Sequence, residues 1–343
     1  MKCKILLFLF LLVSHVYCQD GGRNAFSFIN IETSPRSEAM GGGIIAIYDS
    51  DLSLSQITPS LLNKSMDNNI IFSYIDYFSD INLFSFAYAK ELNNIGVVSL
   101  AIKSINYGLF DLTNELGDIN GNFSAYDQVL TLGIGKILSD RFSLGVNINV
   151  LNSQYDNYTS NALSTNISAT YSNSKRSFTT TLLFKNIGRQ ITSYTDVKEN
   201  LPYDIQLAVS RELAHLPFRY HISYSYLNRF DIKSPYKLVS QTNLETGEIE
   251  LREETIAKTL LRHISIGGEL NPFKKSLFLR GGFNFQRRFD LTLASYNSFV
   301  GFSCGLGFRI SKIRFDYSRS SYHLSGAPNN FSIGINMKSN KIN

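Results

Sequence analysis

Between Tyr126 and Val150 the chain alternates apolar and small polar residues, and this stretch restricts the fold more than any other. In the first arm Tyr126, Leu130, Leu132, Ile134 and Leu138 share one parity, while Asp127, Thr131, Gly133 and Gly135 hold the other. Ser139-Asp140 supplies a turn. In the second arm Phe142, Leu144, Val146, Ile148 and Val150 alternate with Ser143, Gly145, Asn147 and Asn149. A period of two sustained over about ten residues per arm is the signature of a β-hairpin with one apolar face. That face must be covered by a second sheet or by lipid.

The same pattern recurs down the chain. Strands are expected at 70–78, 81–90, 95–105, 126–138, 142–150, 163–172, 177–187, 203–211, 218–228, 263–270, 276–286, 298–310, 312–318 and 330–338, about fourteen in all. All seven prolines lie outside these runs, as a residue without a ladder donor should. Short connections follow the even strands. Long ones follow the odd strands from the third onward, beginning with a Gly- and Asn-rich loop at 106–122, and 230–261 is the longest. Only the first connection, near Ser79-Asp80, is short where a long one is expected. Short turns on one rim, long loops on the other and an even strand count describe an outer-membrane barrel, with both ends of the sheet on the short-turn side.

The charges fit that reading. Asp127, Lys185, Arg219, His221, Glu269, Arg280, Arg314 and Asp316 fall on the parity opposite the apolar face. An Arg or Lys facing the bilayer midplane costs about 2–4 kcal/mol. Lys185, Arg219, His221, Glu269, Arg280, Arg314 and Asp316 are therefore the candidate lumen-facing residues, either lining a pore or pairing with one another and with a plug. The expected fold is all-β: a transmembrane antiparallel β-barrel of about 14 strands with an N-terminal plug-like segment. Residues 1–18 read as a signal peptide: Lys2 and Lys4, an apolar run from Ile5 to Val13, and Val16-Tyr17-Cys18 before Gln19. Residues 19–69 lack clean alternation and are expected to fold into or under the barrel of residues 70–343. Beyond the leader, no apolar run is long enough for a spanning helix.

Other classes are disfavoured. Without Lys2 and Lys4, the 33 basic and 28 acidic residues leave a net charge of about +3, too small and dispersed for nucleic acid. Cys3 and Cys18 belong to the leader, so Cys304 stands alone, with neither a disulfide nor a cysteine metal site available to it. His215, His221, His263 and His323 show no zinc spacing. Gly301-Phe302-Ser303-Cys304-Gly305 matches G-x-S-x-G in letters but sits in an alternating strand, where the nucleophile elbow needs a strand-to-helix turn. Gly41-Gly42-Gly43 lacks the lysine and hydroxyl of a phosphate loop. No catalytic, cofactor or metal site is expected. Within 230–261, Asn243 to Glu250 reads as a projecting hairpin and Arg252 to Arg262 as a short helix. Glu245, Glu248, Glu250 and Arg252 are candidates for docking a partner, or form a solvated face.

Several short motifs then occur in a telling order. Ala25-Phe26-Ser27-Phe28-Ile29-Asn30 precedes Ser37-Glu38-Ala39-Met40-Gly41-Gly42, and Thr58-Pro59-Ser60 follows. Tyr107-Gly108 comes with Gly117, Gly121, Phe123 and Ala125. Later come Arg262-His263, Gly268-Glu269-Leu270, Leu279-Arg280-Gly281-Gly282-Phe283-Asn284 with Arg287-Arg288, and Tyr322-His323 before Gly326. Together these resemble the PorV/PorQ family of outer-membrane proteins, relatives of the FadL transporters. The resemblance implies a non-enzymatic surface barrel in the attachment complex of the type IX secretion system of the Bacteroidetes. There it would hold a PorZ-like surface protein, while the PorU sortase processes cargo and joins it to lipopolysaccharide. The FadL relationship implies a second expectation, a channel for hydrophobic small molecules.

Overall fold

A computed structural model describes residues 24–337, apart from 196, 234–239, 243–248, 252–254, 274–275, 293–298 and 323–325. The expected leader lies outside the described residues. The described residues form sixteen strands: β1 Asn69–Asp76, β2 Asn82–Leu92, β3 Gly96–Thr113, β4 Ile119–Ile137, β5 Phe142–Tyr155, β6 Tyr158–Asn173, β7 Phe178–Thr192, β8 Asp204–Glu212, β9 Phe218–Tyr224, β10 Ser240–Thr242, β11 Ile249–Leu251, β12 Ile264–Leu270, β13 Leu277–Asn284, β14 Phe302–Ile310, β15 Ile313–Ser320 and β16 Asn329–Asn336. Fourteen of them close into one antiparallel barrel in which β9 pairs with β12 and β16 returns to β1. The seam pairs Asn69 with Asn336 through Asp76 with Asn329, so no edge strand remains. β10 and β11 form a separate small sheet inside the β9–β12 connection.

The opening hairpin shows why the sheet closes. In β5, Phe142, Leu144, Val146, Ile148 and Val150 are exposed, while Ser143, Asn147 and Asn149 are buried. The apolar parity faces outward and the polar parity faces in, the inverse of a water-soluble barrel. Cys304 shares the outward face of β14.

Four expected boundaries are corrected. Residues 106–122 are not a loop. β3 and β4 continue their ladder to Thr113 and Ile119, with irregularities between Asn106 and Leu109 and between Leu112 and Thr113. Glycine and asparagine disguised this ladder, because backbone hydrogen bonds do not require apolar side chains. For the same reason β5 and β6 pair out to Tyr155 and Tyr158, leaving a two-residue turn where Asp156 takes a φ of 53°. β9 ends at Tyr224 rather than 228, and Tyr226 adopts a φ of 59°. β14 begins at Phe302, so Val300 is not on its lipid face; the left-handed Gly301 turns Val300 inward, where it is fully buried.

The N-terminal segment fills the barrel. It enters beside the β7–β8 connection, where Asn24 bridges to Asn200, at the rim opposite the short turns. It then runs through a turn at Ser27–Asn30 and a helix at Pro35–Ala39. Next come the left-handed Gly41-Gly42-Gly43, a helix at Leu52–Ser55 and the Pro59–Leu61 turn. It joins β1 at the short-turn rim. Gly145 and Gly282 of the wall leave no room for a Cβ against Pro59 and Met40 respectively, so plug and wall meet backbone to backbone.

Candidate functional site

The lumen is the candidate site, and it is layered. At the long-connection end it is apolar. Phe26, Phe28 and Ile29 of the plug pack on Ile75, Leu83, Ile105, Val129 and Leu151 from the inner wall. An apolar inner wall departs from the usual polar lumen of an outer-membrane barrel. Above it lies a tyrosine-lined rim. The buried carboxylate of Asp127 accepts from Tyr107 Oη at 2.5 Å, from Tyr155 Oη at 3.1 Å and from Ser153 Oγ. Tyr194, in the β7–β8 connection, donates to Ser153. Burial pushes its phenol up to about 12, so it stays a neutral donor.

In the middle layer the wall satisfies the backbone of the plug. Lys103 Nζ donates to the carbonyls of Phe28, Ile29 and Ile31 at 3.2, 3.0 and 3.2 Å. Asn147 Nδ2 donates to Gln56 O at 2.8 Å, and Asn166 Nδ2 to Ile57 O at 3.1 Å. Ser60 is held from both sides: its N–H donates to Ser168 Oγ at 2.8 Å and its carbonyl accepts from Ser143 Oγ at 2.7 Å. A non-regular segment without its own ladder needs such partners when water is excluded.

Toward the short-turn rim lies an ionic network. Arg36 of the plug grips Glu269 of β12 and also reaches Asp49 at 2.8 Å and Asp51 at 3.3 Å. Arg280 bridges Glu269 at 2.8 Å and Asp316 at 2.6 Å. Arg314 joins Asp316 at 2.6 Å to Asp51 at 3.0 Å. Arg219, half-buried at the edge, touches Glu212 at 2.9 Å and Glu269 at 3.4 Å. Four arginines meet Asp49, Asp51, Glu269 and Asp316, so the interior of the network is charge-balanced and is not a ring of one sign. Buried charges in this arrangement are compensated rather than free to select ions.

Of the residues singled out in the sequence, Arg219, Glu269, Arg280, Arg314 and Asp316 are brought together in this network. His221 is buried, with neither ring nitrogen hydrogen-bonded. Lys185 lies in the middle layer. Glu245, Glu248 and Arg252 lie outside the described residues, as does most of the hairpin expected at Asn243 to Glu250; Glu250 belongs to β11, which pairs with β10. A helix at Ile256–Arg262 follows. The sequence reading omitted Arg36, Asp49, Asp51 and Lys103. The signal available was three charges in an apolar segment already assigned to the lumen, where each would require a partner.

No protein-family model matches the sequence. No curated protein matches it either. Solved structures do match in fold. The CymD monoaromatic hydrocarbon channel aligns with a TM-score of 0.50 at 12% identity, covering 92% of this chain and 100% of that one. The Pseudomonas putida toluene transporter TodX aligns with a TM-score of 0.50 at 12% identity, covering 89% of this chain and 97% of that one. A Pseudomonas aeruginosa FadL homologue aligns with a TM-score of 0.48 at 10% identity, covering 89% and 98%. At such identities the likeness is one of fold. The chain shares the fold of the first two, a closed antiparallel barrel that here has fourteen strands.

Proposed function

We propose that this protein is a channel of a Gram-negative outer membrane that admits hydrophobic small molecules, with the N-terminal segment as its gate. The observation that carries this reading is the apolar inner wall at the long-connection end, covered by Phe26, Phe28 and Ile29. A wall that met only water would have no use for Ile75, Leu83, Ile105, Val129 and Leu151. A short terminal segment is the piece most easily withdrawn, and an apolar ligand could then take its place. The full-length likeness in fold to channels for monoaromatic hydrocarbons supports the same direction.

The chain has no tryptophan, which provides a clean test. Phe28→Trp places a sole reporter on the covering segment. Titrating toluene into the detergent-folded protein should quench the emission or shift it to the red, with saturation. Proteoliposomes lacking residues 24–31 should pass toluene faster than the intact barrel. Unchanged emission together with equal flux would refute the gate.

A second reading has its own support. The ordered motifs resembling the PorV/PorQ family favour a non-enzymatic surface barrel of a Bacteroidetes type IX attachment complex. That barrel would hold a PorZ-like protein beside PorU- and PorV-type partners and act on lipopolysaccharide only indirectly. The β3–β4 ribbon standing above the barrel exposes Leu109, Leu112, Leu116 and Ile119, and Phe110 stacks on Phe123 at 5.3 Å. The 230–261 connection, with Glu245, Glu248, Glu250 and Arg252, is the other docking candidate. Purification from detergent-solubilised outer membrane should then recover the partner with the intact chain. The partner should be lost when either projection is deleted. Recovery of the barrel alone from a native membrane would exclude this role.

A further inference from the structure

Arg211 is a cation on the face that meets lipid. It follows Ile205, Leu207 and Val209 on the outward parity of β8, one residue before the strand ends at the short-turn rim. Its ladder neighbours are Phe178 of β7 and Tyr220 of β9. Among the described residues its guanidinium makes no hydrogen bond or ion pair. Glu212, the next residue, has the opposite parity and bridges Arg219 at 2.9 Å. Lys90 of β2 occupies the same face and rim, and there the partners are present. Its Nζ donates to Asn68 Oδ1 at 2.8 Å and lies 3.7 Å from Asp67 Oδ1.

Arg211 lines an open cleft of about 440 Å³ on this outer surface, together with Tyr171, Asn173 and Phe178. The acceptors that these neighbours bring, Tyr171 Oη and Asn173 Oδ1, are neutral. Phe142, Tyr171 and Phe178 form a row of rings along the rim, with centroids 5.1 and 6.5 Å apart. Toward the midplane the outward residues behind the cleft are small. Thr180 pairs with Tyr171 and with Val209, and Ala169 pairs with Leu182. Thr180 Oγ1 donates to Ala208 O at 2.9 Å, which leaves its methyl group for lipid. The result is an apolar groove with aromatic rings and a guanidinium at its end. The flanking short turns add Lys136, Arg141, Lys175 and Arg176 against Asp140 and the engaged Glu212. Aromatic residues at the edge of the apolar band sit at headgroup level, and basic clusters there attract acidic headgroups.

We propose that this cleft binds an anionic glycerophospholipid, with its phosphate against the Arg211 guanidinium and one acyl chain along Thr180 and Ala169. The planar fork of arginine matches the oxygens of a phosphodiester, and the groove behind it takes what a free phosphate lacks. The proposal rests on the outer-membrane-barrel reading, with the short turns at the periplasmic surface, where glycerophospholipids form the leaflet. It does not depend on what the barrel transports or holds.

The test uses the full-length barrel, folded and delipidated in detergent, in native mass spectrometry with phosphatidylglycerol and phosphatidylcholine of identical acyl chains. The wild type should retain phosphatidylglycerol about fivefold more than phosphatidylcholine. Arg211→Gln should bring the two lipids to parity. Lys90→Gln removes a cation of the same face that is already paired, and it should leave the preference intact. Thr180→Phe fills the groove without changing charge and should lower phosphatidylglycerol retention about threefold. Inorganic phosphate in roughly tenfold excess should not displace the lipid, because it cannot fill the groove. Insertion of the wild type into phosphatidylcholine vesicles, read from its heat-modifiable gel band, tests the barrel reading separately; a chain that does not insert overturns both. Equal retention of the two lipids by the wild type, a preference that survives Arg211→Gln, one lost equally in Lys90→Gln, or displacement by inorganic phosphate would each overturn the proposal. If Arg211→Gln does not fold, unchanged retention in Thr180→Phe decides against it.

Discussion

Arg36 of the plug and Glu269 of β12 hold each other through two hydrogen bonds, Nε to Oε2 at 2.8 Å and Nη2 to Oε1 at 2.6 Å. They are 233 residues apart in sequence. This planar pairing is the strongest polar tie between the gate segment and the wall, because both partners are buried and each fixes the other's orientation. Arg36→Ala would leave Glu269, Asp49 and Asp51 short of a cation. Breaking one side of a buried pair costs about 3–5 kcal/mol. The expected outcome is a lower unfolding midpoint and a raised conductance in planar bilayers. Replacing both Arg36 and Glu269 by Met should recover part of the loss, since the remaining network stays charge-balanced. A single variant as stable and as silent as the wild type would show that the pair does not hold the plug.

The glycines of the wall make a separate prediction. Gly282 faces Met40 so closely that a Cβ has nowhere to go. Gly282→Val should unseat the plug without opening the sheet, because β13 keeps its ladder to β12 and β14. Overpacking of this kind costs about 1–3 kcal/mol. Limited proteolysis should then cut within residues 32–58, which are protected in the wild type, while the heat-modifiable barrel band persists.

The outward face yields the most quantitative expectation. Val146 lies at the centre of the run from Phe142 to Val150, and Asn152 lies above it on the same face. Val146→Arg should destabilise the folded barrel in lipid by about 2–4 kcal/mol, and Asn152→Arg by about 0–1 kcal/mol. Equal costs in reversible unfolding from lipid vesicles would mean that the apolar band is not centred on Val146.

Much of this fold was readable because period-two patterning survives wherever one face meets lipid. β5 and β14 announce themselves through Phe142 to Val150 and Phe302 to Phe308. The reading failed where lipid contact ends. Above Ile102 and Leu130 the outward residues become Ser104, Asn106 and Gln128, and the ladder continues without a hydrophobic pattern to mark it. Turn geometry misled at Tyr226 and Val300, where single left-handed residues redirect the chain. The lumen charges were legible as a set, since parity alone separates them from lipid. Their partners were not, because Arg36, Asp49 and Asp51 come from a segment with no period. Pairing across more than two hundred residues leaves no local trace.

The extended β3–β4 ribbon decides the orientation of the whole barrel. Thr113 pairs with Ile119 at its end, and Leu116 at the tip is 87% exposed. With a rise of about 3.3 Å per residue and a tilt of about 40°, residues 109–113 stand roughly 18–28 Å beyond Ile102. They are therefore clear of the hydrocarbon band, on the side of the long connections. The Ser139-Asp140 turn lies at the opposite rim, level with the join between plug and β1. Long connections face outward in outer-membrane barrels. In intact cells carrying Cys304→Ala, a membrane-impermeant maleimide should label Leu116→Cys at least tenfold faster than Asp140→Cys. Permeabilising the outer membrane should bring the two rates together. If Asp140→Cys labels first in intact cells, the barrel is inverted, and both the gate at the long-connection rim and the docking ribbon would face the periplasm.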